Sequence, residues 1–520
     1  MSGEVASSLS DVATPGAQGD LGIVAQRPTP GTPRPYEFPA IERTRLANGL
    51  SIAVIHMPGR PLVAATLMLR NGAVDEPDEE GGATVLAARA LTEGTERFDA
   101  VALVEASERL GAALHADAGW DATSIGVDVP AARLERALEL LAEVALHPTF
   151  PEAEVDRLRD ERLNDLLQAE ADPRRRADEV FAATIYSGAS PYRRPSGGLR
   201  STVERLDASL LRAAYRRGLD PARATLIVGG DLTGIDVPAI AARLLGDWGT
   251  DHDTGSTGAI VAEGGVRERC VRVIHRPGSV QTEIRIGHVG LPRRIADFHA
   301  LSVMGAILGG LFNSRLNAKL REEKGYTYGA GAGFDLRRAA GPFAARAAVN
   351  TDVTVAAIAD TLAELVRIRE TPVAATELDA ARDFLVGIFP LRFETPGPVV
   401  GSLAGLAIHD LPDEELIRYR PAIEAVTIEA VHAAAGHIRP DEVAIVLVGD
   451  ADVFGTELEA AGFGRVVIER EPGEAEQGRS IASRDDLEPL DDGPVGPTDG
   501  AEGPNPAPGS AESEVKAGGS

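Results

Sequence analysis

At 520 residues, with 44% hydrophobic and 25% charged side chains, the chain carries enough apolar material for several domains with substantial cores. Its formal charge of −27 opposes phosphate backbones and anionic lipid, so neither nucleic acid nor a membrane surface is expected as a partner, and proteins, peptides or cations are. A single cysteine, Cys270, excludes an internal disulfide framework and a thiolate metal cluster; this favours a reducing compartment, and a cytoplasmic location is expected.

In chain order, residues 1–37 are rich in Ser, Gly and Pro without apolar periodicity and read as a disordered arm. They contain no basic start followed by an apolar core, so no secretory signal is expected, and no apolar run along the chain approaches the length of a membrane span. "VIHMPGRPLVAATLMLRNG" at 54–72 reads as two strands joined by a Pro58-Gly59 turn of type II into a hairpin. "GGATVLAARALTEGT" at 81–95 reads as an apolar helix between glycines. "ATSIGVDV" at 122–129 alternates Ile125, Val127 and Val129 as a half-buried strand should. After Pro130, "AARLERALELLAEVAL" sets Leu134, Leu138, Leu141 and Ala145 on one helical stripe, with Glu135, Arg136, Glu139 and Glu143 largely off it. "LIVGGDLT" at 226–233 is a last strand ending in Gly-Asp. The polar, Gly-rich stretch 249–267 reads as a linker.

Beyond the linker the pattern starts again. "VIHRPGSVQTEIRIGHVG" at 273–290 repeats the Val-Ile-His and Pro-Gly of residues 54–59, and "IVLVGDADV" at 445–453 repeats the strand ending in Gly-Asp. His56 and His275 are separated by 219 residues, and so are Asp231 and Asp450. Two landmarks with one offset imply two copies of one domain. The expected architecture is therefore α+β: two homologous two-layer domains, each an antiparallel sheet with helices, at 38–248 and 268–470. The tail 471–520 holds twelve Asp or Glu against Arg479, Arg484 and Lys516, a net charge of −9, and is expected to be disordered.

Zinc needs about three protein ligands, and two histidines four apart on a helix supply two on one face. None of the ten histidines forms such a pair. His432 and His437 are five apart, with only alanines and a glycine between, and no metal is expected there. His56 and His275 are expected to be polar strand ends that repeat because the fold repeats, and Cys270 a buried bystander.

"GGATVLAARALTEGT" resembles the metal helix of the pitrilysin and insulinase zinc peptidases, in which a glycine precedes an inverted His-x-x-Glu-His motif and a Gly-Thr follows it. On that frame Val85 and Arg89 stand where the histidines would be, and Ala88 where the water-activating glutamate would be. The resemblance also implies a third ligand on a later helix within "VDRLRDERLNDLLQAEADP" at 155–173, where Glu161 and Asp165 lie. Arg89 has Glu93 one turn on as its local partner. The resemblance extends over about 38–470. "ILGGLFNSRLNAKLREEKGYTYGAGAGF" is similar to the family's second domain and keeps the arginine and the tyrosine, seven residues on, that active members use in trans to the metal: Arg321 and Tyr328. A guanidinium fork can hold peptide carbonyls, and a phenol can donate to an oxygen that turns negative as water attacks. The glycines of "MGAILGGLFNSRL" read as a flexible approach to the helix, since no phosphate-loop ending follows.

The resemblance thus implies a subunit without metal or other cofactor of its own. It would form half of a clam-like chamber, take peptide or unfolded polypeptide as substrate, and assemble with a homologous chain that carries the zinc. Two other readings stay open: a structural or binding module without an enzyme partner, and a homodimeric peptide-binding protein.

Overall fold

The computed structural model describes residues 36–59, 61–249 and 260–470. The expected arm up to residue 35, the centre of the linker and the acidic tail from 471 lie outside the described residues.

Two six-stranded sheets form the framework. The first contains β1 (Ile41–Arg45), β2 (Ser51–His56), β3 (Leu62–Leu69), β4 (Ala113–Ala118), β5 (Thr123–Pro130) and β6 (Ala224–Gly230), in the order β1-β2-β6-β3-β5-β4. The second contains β7 (Cys270–His275), β8 (Gln281–Val289), β9 (Ala330–Phe334), β10 (Pro342–Asn350), β11 (Ala444–Gly449) and β12 (Arg465–Arg470), in the order β12-β7-β11-β8-β10-β9. β7, β8 and β10 begin 219 residues after β2, β3 and β5, so the offset between the histidines belongs to whole sheets.

The Pro-Gly segments turn the chain as expected, with Gly59 at φ 91° and Gly278 at φ 75°, but neither closes a hairpin. β6 inserts between β2 and β3, pairing parallel to β2 and antiparallel to β3; β11 does the same between β7 and β8. Each sheet is accordingly mixed. A turn's residues fix its dihedral angles and carry no record of a strand that arrives 160 residues later. That strand also ties down the turn: the Gly59 amide donates to Asp231 Oδ2 at 3.3 Å, and the Gly278 amide to Asp450 Oδ2 at 2.7 Å.

One face of each sheet packs on helices of its own copy. In the first, Leu67, Ile125, Val127 and Leu226 meet Leu134, Leu138 and Leu141 of the helix Leu134–Leu146. Glu143 of that helix is buried too, contrary to its expected place off the stripe, because its Oε1 accepts the Arg97 amide at 3.1 Å. The outer faces are covered by exchange. Helix Pro173–Ile185, from the first copy, lays Ala177, Val180 and Phe181 on Ile274, Val446 and Val448 of the second sheet. Helix Pro396–Ile408, from the second copy, lays Val399, Val400 and Leu403 on Ala53, Ile55, Ala64 and Ile227 of the first. Both faces of β6 and β11 are therefore dry, which is why these strands read as unbroken apolar runs without alternation. Each fully buried Val or Leu in these layers contributes about 1.5–3 kcal/mol. Ion pairs fasten the exchange: Arg70 grips Asp410 with two hydrogen bonds of 2.6 and 2.8 Å, and the buried Arg285 reaches Asp178 at 2.6 Å.

Candidate functional site

The glycine-bounded helix runs from Ala83 to Ala90, and Gly82 caps it. Its first turn is held by a carboxylate that local sequence did not single out. Glu76, fully buried, accepts the Gly82 amide at 3.0 Å and the Thr84 amide at 2.6 Å, and its third partner is the buried guanidinium of Arg194 at 2.8 Å. An anion at a helix N-terminus satisfies orphan donors and meets the positive end of the helix dipole. Burial nevertheless lifts the Glu76 carboxyl above the ordinary carboxylate range, against Arg194 and the two amides.

Along this helix Val85 is half-buried, Ala88 is fully buried and Arg89 is half-buried in its last turn. Arg89 does not pair with Glu93. Its Nη2 reaches Glu161 Oε2 at 2.9 Å, on the helix Glu152–Ala171, and Glu93 is taken by Arg157 at 2.7 Å. Arg157 also holds the other oxygen of Glu161 at 2.5 Å and Glu154 at 2.7 Å. The two helices are thus laced by two guanidiniums and three carboxylates, and Arg89, then Arg157, hold the Glu161 carboxyl below its usual range. The nearby Asp165 is paired with Arg162 and Arg175. Helix packing brings Glu161 to Arg89 across 72 residues; local pairing rules could not anticipate that.

Zinc does not fit this place. Valine and alanine offer no donor atom, and both oxygens of Glu161 face guanidiniums, so a cation there would meet two positive charges already seated.

Among the described residues one group of metal-ligand types comes together elsewhere: His275, Asp450 and Asp452, with ligand atoms within 4.8 Å of one another. Its wiring is structural. His275 Nδ1 accepts the Ala451 amide at 3.1 Å, Asp450 accepts the Gly278 and Asp452 amides, and Asp452 is paired with Arg470 at 2.7 Å. The first copy repeats the pattern with a threonine in the third place: His56 Nδ1 accepts the Leu232 amide at 3.2 Å, and Asp231 accepts the Gly59 and Thr233 amides. The two histidines are polar strand ends, as the repeat implied. His437 is paired with a carboxylate that local sequence did not show, Asp297 Oδ2 at 2.8 Å, supplied from 140 residues away. Cys270 is half-buried, and burial raises its thiol pKa.

The second copy presents a different surface. Arg321 lies in a π-helical turn, Asn317–Glu323, a wide backbone form that is rare and concentrated at functional sites. Its guanidinium carbon sits 4.1 Å from the ring centre of Phe312, and its Nε is 3.3 Å from Glu322. Tyr328, two residues before β9, is 94% exposed and has no partner for its hydroxyl among the described residues, whereas Tyr326 packs on the core. Phe312 is 71% exposed. Sequence reasoning missed it, and the only signal was an aromatic residue set among Gly, Asn and Ser. The preceding glycines are not a flexible approach: helix Phe298–Gly305 continues into a π-helical turn, Ala306–Gly310. A Cβ on Gly309 would lie 2.1 Å from the Ala332 nitrogen, so glycine is needed for that turn to reach β9.

The chain as a whole is similar to known proteins. The profile of the insulinase family, peptidase family M16, matches residues 51–193, and that of the M16 inactive domain matches residues 205–385. An uncharacterised zinc protease of Mycobacterium tuberculosis is 24% identical over 403 residues, covering 77% of this chain and 91% of that one. A non-peptidase homologue of Helicobacter pylori is 22% identical over 352 residues, covering 64% and 76%. Among solved structures, an M16 inactive-domain protein of Pseudomonas fluorescens superposes with a TM-score of 0.73 at 25% identity, covering 79% of this chain and 98% of that one. A Helicobacter pylori protease gives 0.74 at 17% identity.

Proposed function

The chain belongs to the insulinase family, peptidase family M16, and on that premise we propose that it is the non-metal-binding subunit of a two-chain zinc metallopeptidase of the cytoplasm. It forms half of the chamber, and its partner is a homologous chain that carries the zinc. The observation that carries this reading is the contrast between its two copies. Where the family's metal helix would hold a cation, Val85, Ala88 and an Arg89–Glu161 ion pair stand, while Tyr328 is exposed with no partner for its hydroxyl among the described residues and Arg321 lies half-buried over the exposed Phe312 ring.

Arg321, steadied on the Phe312 ring, offers a planar donor fork to carbonyls of an extended peptide. Tyr328 offers a hydroxyl donor to the oxygen on which charge develops. Neither group needs to change protonation state for these tasks. No helix of the described residues is long and apolar enough to cross a membrane.

Purified alone, the chain should neither retain stoichiometric zinc nor cleave peptides; assembled with its zinc-bearing homologue it should restore turnover. In that assembly Tyr328→Phe is expected to lower kcat about a hundredfold while peptide affinity stays within a few-fold. An unchanged kcat removes the assisting role. The similarity to a non-peptidase homologue supports a second reading, a structural or peptide-binding protein without an enzyme partner. Gel filtration and pull-down from the native cell decide between a heterodimer, a homodimer and a chain without a peptidase partner.

A further inference from the structure

One buried side chain connects every part of the Arg321 surface. Asn317 opens the π-helical turn that carries Arg321, four residues before it, and is buried beneath it. Its Nδ2 donates to the Leu311 carbonyl at 3.2 Å and to Ser314 Oγ at 3.3 Å, while its Oδ1 accepts the Ala330 amide at 2.9 Å. Leu311 is the residue before Phe312. Ala330 opens β9 two residues after Tyr328. The amide cannot be turned end for end, because Ala330 N–H requires an acceptor and Leu311 C=O requires a donor.

Three chain segments therefore meet at one amide: the loop that brings the Phe312 ring under the guanidinium, the turn that brings Arg321, and the strand entry that brings Tyr328. No continuous secondary structure spans all three, since the Asn317–Glu323 turn stops before Tyr326 and β9 begins only at Ala330. Thr327 bonds only locally, its Oγ1 accepting the Gly329 amide at 3.1 Å. A packed apolar residue at 317 would fill the space without fixing the distances, because dispersion is non-directional and these hydrogen bonds are not.

We propose that Asn317 is the positioning residue of the Arg321–Tyr328 pair, setting their spacing by holding the Phe312 loop and the entry of β9 to the turn between them. The proposal rests on the functional reading above and adds to it a residue that never touches substrate. A misplacement of about 1 Å at reacting groups can cost on the order of a hundredfold in rate without loss of binding.

The test is a double-mutant cycle in the assembled peptidase, with a quenched fluorescent peptide as the probe and circular dichroism as the check on folding. Asn317→Ala is expected to lower kcat about tenfold with KM nearly unchanged. Combined with Tyr328→Phe it should lose less than the product of the two single losses, because a misplaced phenol and an absent one are equivalent while the displacement of Arg321 persists. Should the alanine variant fail to assemble, Asn317→Asp keeps the acceptor for Ala330 and loses both donors, and it carries the same comparison. Wild-type kcat in a folded, assembled variant, or losses that simply add to those of Tyr328→Phe, overturn the positioning role alone. If Tyr328→Phe and Arg321→Lys both turn over at the wild-type rate, the functional reading falls and this inference falls with it.

Discussion

The two copies build the same sheet and then use it for different ends. In the first, the sheet is completed by β1, which precedes β2 and pairs antiparallel to it. In the second, the equivalent edge is filled by β12 from the far end of the described chain, parallel to β7. Above the first sheet, charged groups pair with one another: Glu76 and Arg194 are buried together, and Arg89, Arg157, Glu93 and Glu161 satisfy one another nearer the surface. Above the second, Tyr328 and Phe312 are exposed, and Arg321 lies over the Phe312 ring. The comparison teaches that the duplicated scaffold is indifferent to chemistry. A handful of side chains decides whether a copy is closed on itself or open to a partner.

The largest expected effect comes from the closed copy. Arg194→Met leaves the Glu76 carboxylate buried with two amides and no cation, which should cost about 3–5 kcal/mol in urea denaturation. A loss well below this would mean that the helix amides suffice, and that the first copy is less dependent on its internal pairing than its burial implies.

Next is the exchange between copies. Leu403→Ala, in the helix from the second copy that covers the first sheet, should cost about 2–5 kcal/mol. If the exchange makes the copies one cooperative unit, unfolding of this variant followed at Trp120 and Trp248 in the first copy and by hydrogen exchange at β11 in the second will remain coincident. Separate transitions would show that the copies fold independently.

Acid should act mainly through the second copy. His288 is pushed down to about 4, first by burial, and its Nε2 accepts the Arg439 amide, a bond that a protonated ring cannot make. His299 and His409 are also lowered by burial. In each case the unfolded chain takes up the proton first as pH falls. This stability is therefore fully present above pH 6.5 and lost as pH falls through the folded-state values, for His288 amounting to about 3 kcal/mol by pH 4. Glu76, with a raised pKa, acts in the opposite sense and blunts the slope as pH falls through its folded-state value. Stability measured at half-unit intervals in wild type and in His288→Gln checks this; equal slopes would remove His288 as the source.

The smallest effect is expected at the ion pair that stands where a metal would be. Arg89→Ala breaks an exposed pair while Arg157 still holds Glu161, so the melting temperature should not move. A clear drop would show that the Arg89–Glu161 pair fastens the two helices together.

The sequence by itself determined the duplication, since Val-Ile-His, Pro-Gly and Gly-Asp recur at a fixed offset, and it determined the central strands and the helices Ala83–Ala90 and Leu134–Leu146, whose patterns are local. It also determined the absence of ligands at Val85, Ala88 and Arg89, because a residue's donor atoms do not depend on its neighbours. Only the tertiary structure decided what depends on segments far apart in the chain. It placed β6 and β11 inside what read as hairpins, sent one helix from each copy across to the other sheet, and gave Arg89 to Glu161 instead of Glu93. It also buried Glu143, Glu76 and Asn317, whose hydrogen-bond partners lie on other segments. The common reason is that propensity and turn chemistry act over a few residues, whereas desolvation and hydrogen-bond satisfaction are settled by whatever the completed fold brings within about 3 Å.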